Sequence, residues 1–250
     1  MQIVTILLGQ IDSTQTYAKT HAEDFAPDQL TCIVAEEQTA GRGRYHRKWI
    51  SPRGVNLYMT FYFLLPKTTP HFTALSQVMA TSLVEVLLCE GFHPKIKWPN
   101  DVQLHGKKVA GILCEAIFNK ETIALLLGIG INVNMAAKDL AAIDQPATSL
   151  KEETGHPWDK MVLLHALQKQ FAADLDRFQI EGFAPFHATC EKHLAFKGQT
   201  VHCFDGQREW VGICHSLTNS GQLNLLLPDR TFHVLSSGDI TQALIDPQKD

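Results

Sequence analysis

Near Lys197 the sequence changes character, and the change divides the chain. Upstream, β-favouring runs alternate with stretches whose apolar residues recur at helical spacing. Downstream there are only short runs, Thr200–Phe204, Glu209–His215, Gln222–Leu227 and Thr231–Leu235, separated by the turn signals Asp205-Gly206, Asn219-Ser220-Gly221 and Pro228-Asp229. A chain of this kind is α+β in its first part and a small β-barrel of about fifty residues in its second. The expected domains are 1–196 and 197–250. With 250 residues and 45% hydrophobic content, the larger one has material for a substantial core.

Residues 3–8 read as a buried strand bounded by Gly9, and Asp12-Ser13-Thr14 as the cap of a helix reaching about Phe25. Leu30–Glu36 and Val55–Phe63, the latter with a proline stop at 66, read as further strands. Leu75, Val78, Met79, Leu83, Val86 and Leu87 mark an amphipathic helix ending by Gly91. Lys95–Leu104 and Lys107–Leu113 read as two strands around a His105-Gly106 turn. Thr122–Val133 is a near-continuous apolar strand interrupted by Gly128 and Gly130, and alternate glycines in a strand commonly mark close approach of a ligand or another backbone. Asn132 brings an amide that both donates and accepts. Irregular helical pieces are expected over 138–154, a long helix over 159–178, and another over 183–196 with Pro185 near its start.

The formal charge of −4 and pI near 6.3 argue against a protein that coats nucleic acid, which needs a net basic face. Cysteines at 32, 89, 114, 190, 203 and 214 form no C-x-x-C pair, so buried reduced thiols are expected. His202 and Cys203, like Cys214 and His215, are strand neighbours facing opposite ways, which argues against a shared metal site. The apolar start is too short for a signal core and lacks preceding basic residues. A cytoplasmic protein without membrane spans is expected.

Between Glu36 and Gly54 nothing is periodic, as in a binding loop or lid. Within it, Gly41-Arg42-Gly43-Arg44-Tyr45-His46-Arg47-Lys48-Trp49 combines two glycines, three arginines, a lysine and an indole. Guanidinium groups grip planar oxyanions bidentately, and glycines let a backbone come close. Both a solvated basic turn and a carboxylate- or phosphate-binding lid fit. Lys97 and Lys108 sit in apolar strands, where an ammonium needs an anion or water; Asp101 is a candidate partner, and aggregation-blocking edge lysines are the alternative. Ser13 and Thr14 either cap their helix or hydrogen-bond a ligand there.

Gln38-Thr39-Ala40-Gly41-Arg42-Gly43-Arg44 with Lys48-Trp49, then Lys97-Trp98-Pro99-Asn100-Asp101, Lys108-Val109-Ala110-Gly111-Ile112-Leu113 and Gly130-Ile131-Asn132 resemble the biotin protein ligases, in the family's order and over most of residues 12–135. The resemblance implies a mixed β-sheet with packed helices, like that of class II aminoacyl-tRNA synthetases and biotin ligases, plus a C-terminal barrel like Src-homology-3 domains. It also implies an enzyme that activates biotin with ATP and Mg²⁺ to biotinyl-5'-AMP. Biotin then passes to a lysine of the biotin carboxyl carrier domain of acetyl-CoA carboxylase or a related carboxylase. No nucleic acid or membrane partner is implied; a homodimer is compatible.

Carried over residue by residue, the resemblance gives Ser13, Thr14 and Gln38 the ureido ring, with Gly41 and the backbones of Arg44 and Gly111 closing on biotin. Lys108 bridges the reacting groups and acts in catalysis with Arg42 and Arg44. Trp49 covers the adenine, Asn132 reads its edge, and Lys97, Asn100 and Asp101 complete the nucleotide side, with Mg²⁺ held mainly through the ATP phosphates. Gln15 departs from the family's usual Asn, and Tyr45-His46 fills a variable slot. A first strand beginning at Ile3 leaves no room for the N-terminal helix-turn-helix of some members, so a minimal form is expected.

The chemistry makes physical sense of these residues. Bringing biotin's carboxylate to a phosphate sets like charges together, at about 4 kcal/mol for unit charges 4 Å apart in an effective dielectric near 20. Arg42, Arg44 and Lys108 would screen that repulsion and stabilise the charge that grows at the α-phosphate. A lid carrying such charges is expected to order around an anion, because its cations otherwise repel. A lipoate or octanoate ligase shares the reaction logic but has no use for a ureido-reading set. A nucleic-acid-binding regulator using the basic loop, and a carrier-binding protein without activity, are readings of another class.

Overall fold

A computed structural model describes residues 1–242. Its main sheet has seven strands in the order β1 (Gln2–Ile11), β2 (Gln29–Gln38), β3 (Leu57–Pro66), β7 (Thr122–Ile131), β6 (Lys107–Phe118), β5 (Asp101–Leu104), β4 (Lys95–Lys97). Only β1 and β2 run parallel, so the sheet is mixed. Helix α1 (Thr14–Thr20) packs on one face; α2 (Leu75–Cys89) and α5 (Lys160–Glu181) build the core on the other, with α6 (Ala184–His193) beside them. The pieces α3 (Ala137–Leu140) and α4 (Leu150–Thr154) are short.

Strand β7 shows why the sequence reads as it does. Ile123, Leu125, Leu127, Ile129 and Ile131 face the large core, where Phe61 and Phe63 meet Phe171 of α5 at 5.0 and 6.1 Å between ring centres. Ala124 and Leu126 point the other way, into a second cluster with Ala18, Ile33 and Tyr62. A strand covered on both faces loses the alternation of a half-exposed one and becomes a continuous apolar run. At Gly128 and Gly130 this apolar covering stops, and the side chains of Gln15 and Trp49 lie over the glycine floor instead.

Three expectations change. Strand β1 is not buried: it pairs only with β2, continues through Gly9, and leaves Leu7 63% exposed, as an edge strand does. The helix expected to reach Phe25 ends at Thr20, followed by a single 3-10 turn over Ala22–Asp24. Lys95–Leu104 is two strands: the chain turns at Trp98-Pro99-Asn100 through a cis Trp98–Pro99 bond, and β5 folds back on β4 with Lys97 opposite Asp101. The His105-Gly106 hairpin is present, both residues taking positive φ (48° and 76°) as a two-residue turn requires.

The C-terminal strands form a five-stranded antiparallel sheet, ordered β11 (Phe232–Leu235), β10 (Leu223–Leu226), β9 (Glu209–Leu217), β8 (Thr200–Phe204), β12 (Asp239–Gln242). Four match the sequence reading; β12 does not appear in it, and residues 243–250 lie outside the described ones. This sheet shares the main apolar cluster through Val201, Cys203, Leu223, Leu225 and Ile240. At the joint, Trp98 Nε1 and Gln77 Nε2 both donate to the Gly221 carbonyl, at 2.9 and 2.7 Å. Gly221 has φ +81° and a Cβ there would lie 2.1 Å from Gln77 Oε1, so only glycine fits.

The 72–89 segment has the length and apolarity of a membrane span, but it is 67% buried in this core. The six cysteines are free; Cys89 is exposed rather than buried, while burial pushes the Cys32 and Cys190 thiols up to about 12.

Candidate active site

The glycine floor on β6 and β7 carries the site. Gly111 and Gly130 are cross-strand partners, and Gly128 lies opposite Thr60 of β3. Trp49 lies over this floor. A Cβ on Gly130 would be 2.4 Å from the indole and one on Gly111 2.9 Å from it, so the ring needs both glycines. Lys108 and Gly111, three apart, would face opposite sides of a regular strand. A register shift between β5 and β6 inserts one residue and turns Lys108 to the side of Gly111. Its Nζ lies 2.9 Å from Asp101 Oδ1 and 5.2 Å from the Trp49 ring centre. The Lys108 backbone is itself fixed, its N–H donating to Pro146 and its carbonyl accepting from Thr148.

One wall is a chain of short polar side chains. Thr60 Oγ1 donates to Thr14 Oγ1 (2.8 Å), which donates to Gln38 Oε1 (3.2 Å); that oxygen also accepts from the Thr14 N–H (2.9 Å). Gln38 Nε2 donates to Ser51 Oγ (3.0 Å), which donates to the Trp49 carbonyl. Ser13 caps α1 by accepting from the Gln15 N–H, so the capping role is real. The wall keeps hydrogen-bonding capacity: among the described residues the Ser13 hydroxyl accepts but donates to no partner, Gln38 Nε2 donates only to Ser51, and Gln15 Oε1 is buried without a partner. Gln15 Nε2 donates to the Leu113 carbonyl.

The 41–49 loop folds back on itself through Arg42–Lys48 pairing, Gly43 N–H to Arg47 O (2.7 Å) and Trp49 N–H to Gly41 O (2.9 Å), with Tyr45 at φ 53° at its tip. Arg44 donates to Asn100 Oδ1 (3.1 Å), the Gly238 carbonyl (2.8 Å) and Tyr45 OH (3.1 Å). Arg42 pairs with Glu115 (3.4 Å), and Arg47 with Asp239 (2.6 Å). The chain thus supplies an acceptor for each of the three loop arginines.

Against known proteins, residues 7–132 match the model of the biotin/lipoate A/B protein ligase family. The chain is 34% identical to the bifunctional ligase/repressor BirA of Escherichia coli over 94% of its own length and 73% of that protein's. The chain belongs to the biotin/lipoate A/B protein ligase family. It is also 34% identical to the biotin–[acetyl-CoA-carboxylase] ligase of Paracoccus denitrificans, covering 89% of this chain and 94% of that one. Its fold matches the biotin protein ligase of Aquifex aeolicus solved with biotin and ATP, with TM-score 0.78, 31% identity, and 95% and 97% of the two chains covered.

Of the thirteen residues that the family resemblance singles out, ten line a single cavity: Ser13, Thr14, Gln38, Arg42, Arg44, Trp49, Asn100, Asp101, Lys108 and Gly111. Gly41 sits just behind, where a Cβ would meet the Trp49 carbonyl at 2.6 Å and Ser51 Oγ at 2.7 Å. Lys97 turns toward Asp239, 3.6 Å away. Asn132 borders an adjoining cavity with Trp49, Ile143, Gln145 and Ala147. Its amide is committed inside the fold, donating to Thr148 O (3.1 Å) and accepting from Asn56 (3.5 Å), so it is not a free amide facing the cavity. Arg47, Gln145 and Asp239 also line the main cavity; Arg47 stands out in the sequence only as part of the basic loop, without a role of its own, and Gln145 and Asp239 were not anticipated. Gln145 falls in a stretch expected to be helical that is irregular, and Asp239 carries no local pattern.

Proposed function

We propose that this protein is a biotin–protein ligase, joining biotin to ATP as biotinyl-5'-AMP with release of diphosphate, then transferring biotin to a lysine of a carrier domain. The observation that carries this reading is the convergence on one glycine floor of Lys108, two lid arginines and a wall offering both donors and acceptors. A cyclic urea needs such a wall, since it presents N–H donors beside a carbonyl acceptor. An aliphatic or dithiolane acid offers it nothing and would leave Gln15 Oε1 unpaired, which favours biotin over lipoate.

In this reading Ser13, Thr14 and Gln38 hold the ring, and the Gly111 and Arg44 backbones border the acyl chain. Lys108 lies where carboxylate and α-phosphate meet, with Asp101 orienting its ammonium until the anions arrive. A biotin carboxylate oxygen attacks the α-phosphorus and diphosphate leaves; the acceptor amine then attacks the mixed-anhydride carbonyl, and AMP leaves. Mg²⁺, carried on the ATP phosphates, would neutralise the leaving diphosphate. Trp49, between the main cavity and the adjoining one, would cover the adenine, while Lys97, Asn100 and Asn132 border the nucleotide.

We read residues 1–196 as the catalytic domain and 197–250 as a second domain resembling a Src-homology-3 barrel. The acceptor is the biotin carboxyl carrier domain of acetyl-CoA carboxylase or a related carboxylase. Unpaired cysteines fit a reducing cytoplasm. The test is mass spectrometry of a purified carrier domain after incubation with enzyme, MgATP and biotin: a single biotin adduct on one lysine supports the proposal, and an unmodified carrier opposes it.

A further inference from the structure

We propose that Asp239, the first residue of β12, is a positioning residue whose carboxylate latches the 41–49 loop over the cavity and so couples the C-terminal sheet to retention of the intermediate. This deepens the ligase reading and rests on it for the intermediate, though not for the latch. The two carboxylate oxygens are divided between two elements: Oδ2 meets Arg47 of the loop at 2.6 Å, and Oδ1 meets Lys97 of β4 at 3.6 Å. The preceding residue adds a third tie, because the Gly238 carbonyl accepts from Arg44 at 2.8 Å. Two consecutive residues, Gly238 and the first residue of β12, thus hold two loop arginines, while Lys97 fixes the carboxylate to the other sheet.

The latch is rigidly mounted. Asp239 is paired with Phe204 in the β8–β12 ladder, and β8 approaches so closely that a Cβ on Gly238 would lie 2.9 Å from the Phe204 carbonyl. The ends of the latch differ in exposure. The Arg47 side chain is 58% exposed, so that contact is screened and can open, whereas Lys97 is 15% exposed and stays. Burial pushes the Asp239 carboxyl up, but Lys97, then Arg47 and Arg44, outweigh it and hold the group below the usual carboxylate range. Asp239 is therefore an anion at neutral pH.

The test uses the full chain with Asp239→Asn and Asp239→Glu. The loop contains Arg42, Arg44, Arg47 and Lys48, so limited trypsin digestion read by mass spectrometry reports its opening directly. Asp239→Asn should raise cleavage within 41–49 by about five-fold, with cleavage elsewhere unchanged, and Asp239→Glu should restore most of the protection. In the same variant, biotinyl-adenylate should leave the enzyme faster by a similar factor, and KM for ATP should rise more than kcat falls. Arg47→Gln breaks the same contact from its exposed end and should accelerate cleavage at the remaining sites, covering the case in which the Asp239 variants fold poorly. Wild-type cleavage rates within the loop of both Asp239→Asn and Arg47→Gln would overturn the latch, as would acceleration spread over the whole chain. If wild-type protein makes no adenylate while the loop result holds, the ligase reading fails and the latch stands.

Discussion

A methyl group at Gly130 should separate the site's architecture from the stability of the fold. Gly130 lacks positive φ, so alanine is compatible with its backbone, and the whole effect must come from what the methyl meets. It meets the Trp49 indole, with Cε2 and Nε1 both at 2.4 Å and Cζ2 at 2.7 Å. These distances are well inside contact, and a rigid ring cannot yield by rotating one bond. The indole must leave the floor. Overpacking of this kind costs about 1–3 kcal/mol, equivalent to roughly five- to hundred-fold in an equilibrium. Because the ring belongs to a surface loop rather than to the core, most of that cost should fall on binding and not on unfolding.

Gly128→Ala is the internal control, since its methyl would meet the side chain of Gln15 at 3.1–3.4 Å, a flexible group able to move by tenths of an ångström. Steady-state diphosphate release should therefore show KM for ATP raised at least five-fold in Gly130→Ala, less in Gly128→Ala, with both melting near wild type. Equal and unimpaired KM values in the two variants would refute the placement of Trp49, and a large drop in melting temperature for Gly130→Ala alone would refute the separation of site from core.

Lys108→Ala should cut adenylate formation by at least about a hundred-fold with melting little changed, and near-normal diphosphate release would remove Lys108 from the mechanism. Arg44→Gly removes the ties to Asn100 and to the Gly238 carbonyl; it should leave the fold intact and release biotinyl-adenylate early, read as labelling of bystander lysines, and unchanged retention would contradict the lid assignment. At the joint with the C-terminal sheet, burial pushes the Glu191 carboxyl up, but Lys197 and the Leu217 N–H outweigh it and leave it below the ordinary range. A depressed folded pKa gives stability that is present above the unfolded pKa and lost as pH falls through the folded one. The melting advantage of wild type over Glu191→Gln should thus be full near neutral pH and shrink as pH drops through the carboxylate range; an advantage independent of pH would reject the assignment.

What the sequence disclosed followed from local physical rules. The apolar run at 122–133 announced a strand and its glycines a close approach to that strand, because apolar character and absence of a side chain are written in single residues. The loop chemistry was equally local. Three things were not. The edge position of β1 depends on which strands pair, and an apolar edge strand reads like an interior one. The bulge that turns Lys108 toward Gly111 is a matter of register between two strands, invisible along either. Asp239 reaches Arg47 and Lys97 across nearly two hundred and about one hundred and forty positions, and no periodic pattern links residues so far apart. The other acceptors of the loop arginines, Glu115 and the Gly238 carbonyl, lie equally outside any local pattern.

The most direct measurement is ATP–diphosphate exchange by the purified protein with MgATP and biotin, lipoate, octanoate or no acid. The polar wall and the Lys108 site predict exchange that requires biotin and is lost in Lys108→Ala. Exchange with lipoate or octanoate but not biotin would keep the family and contradict the substrate, and absence of exchange with every acid would contradict activation at this site.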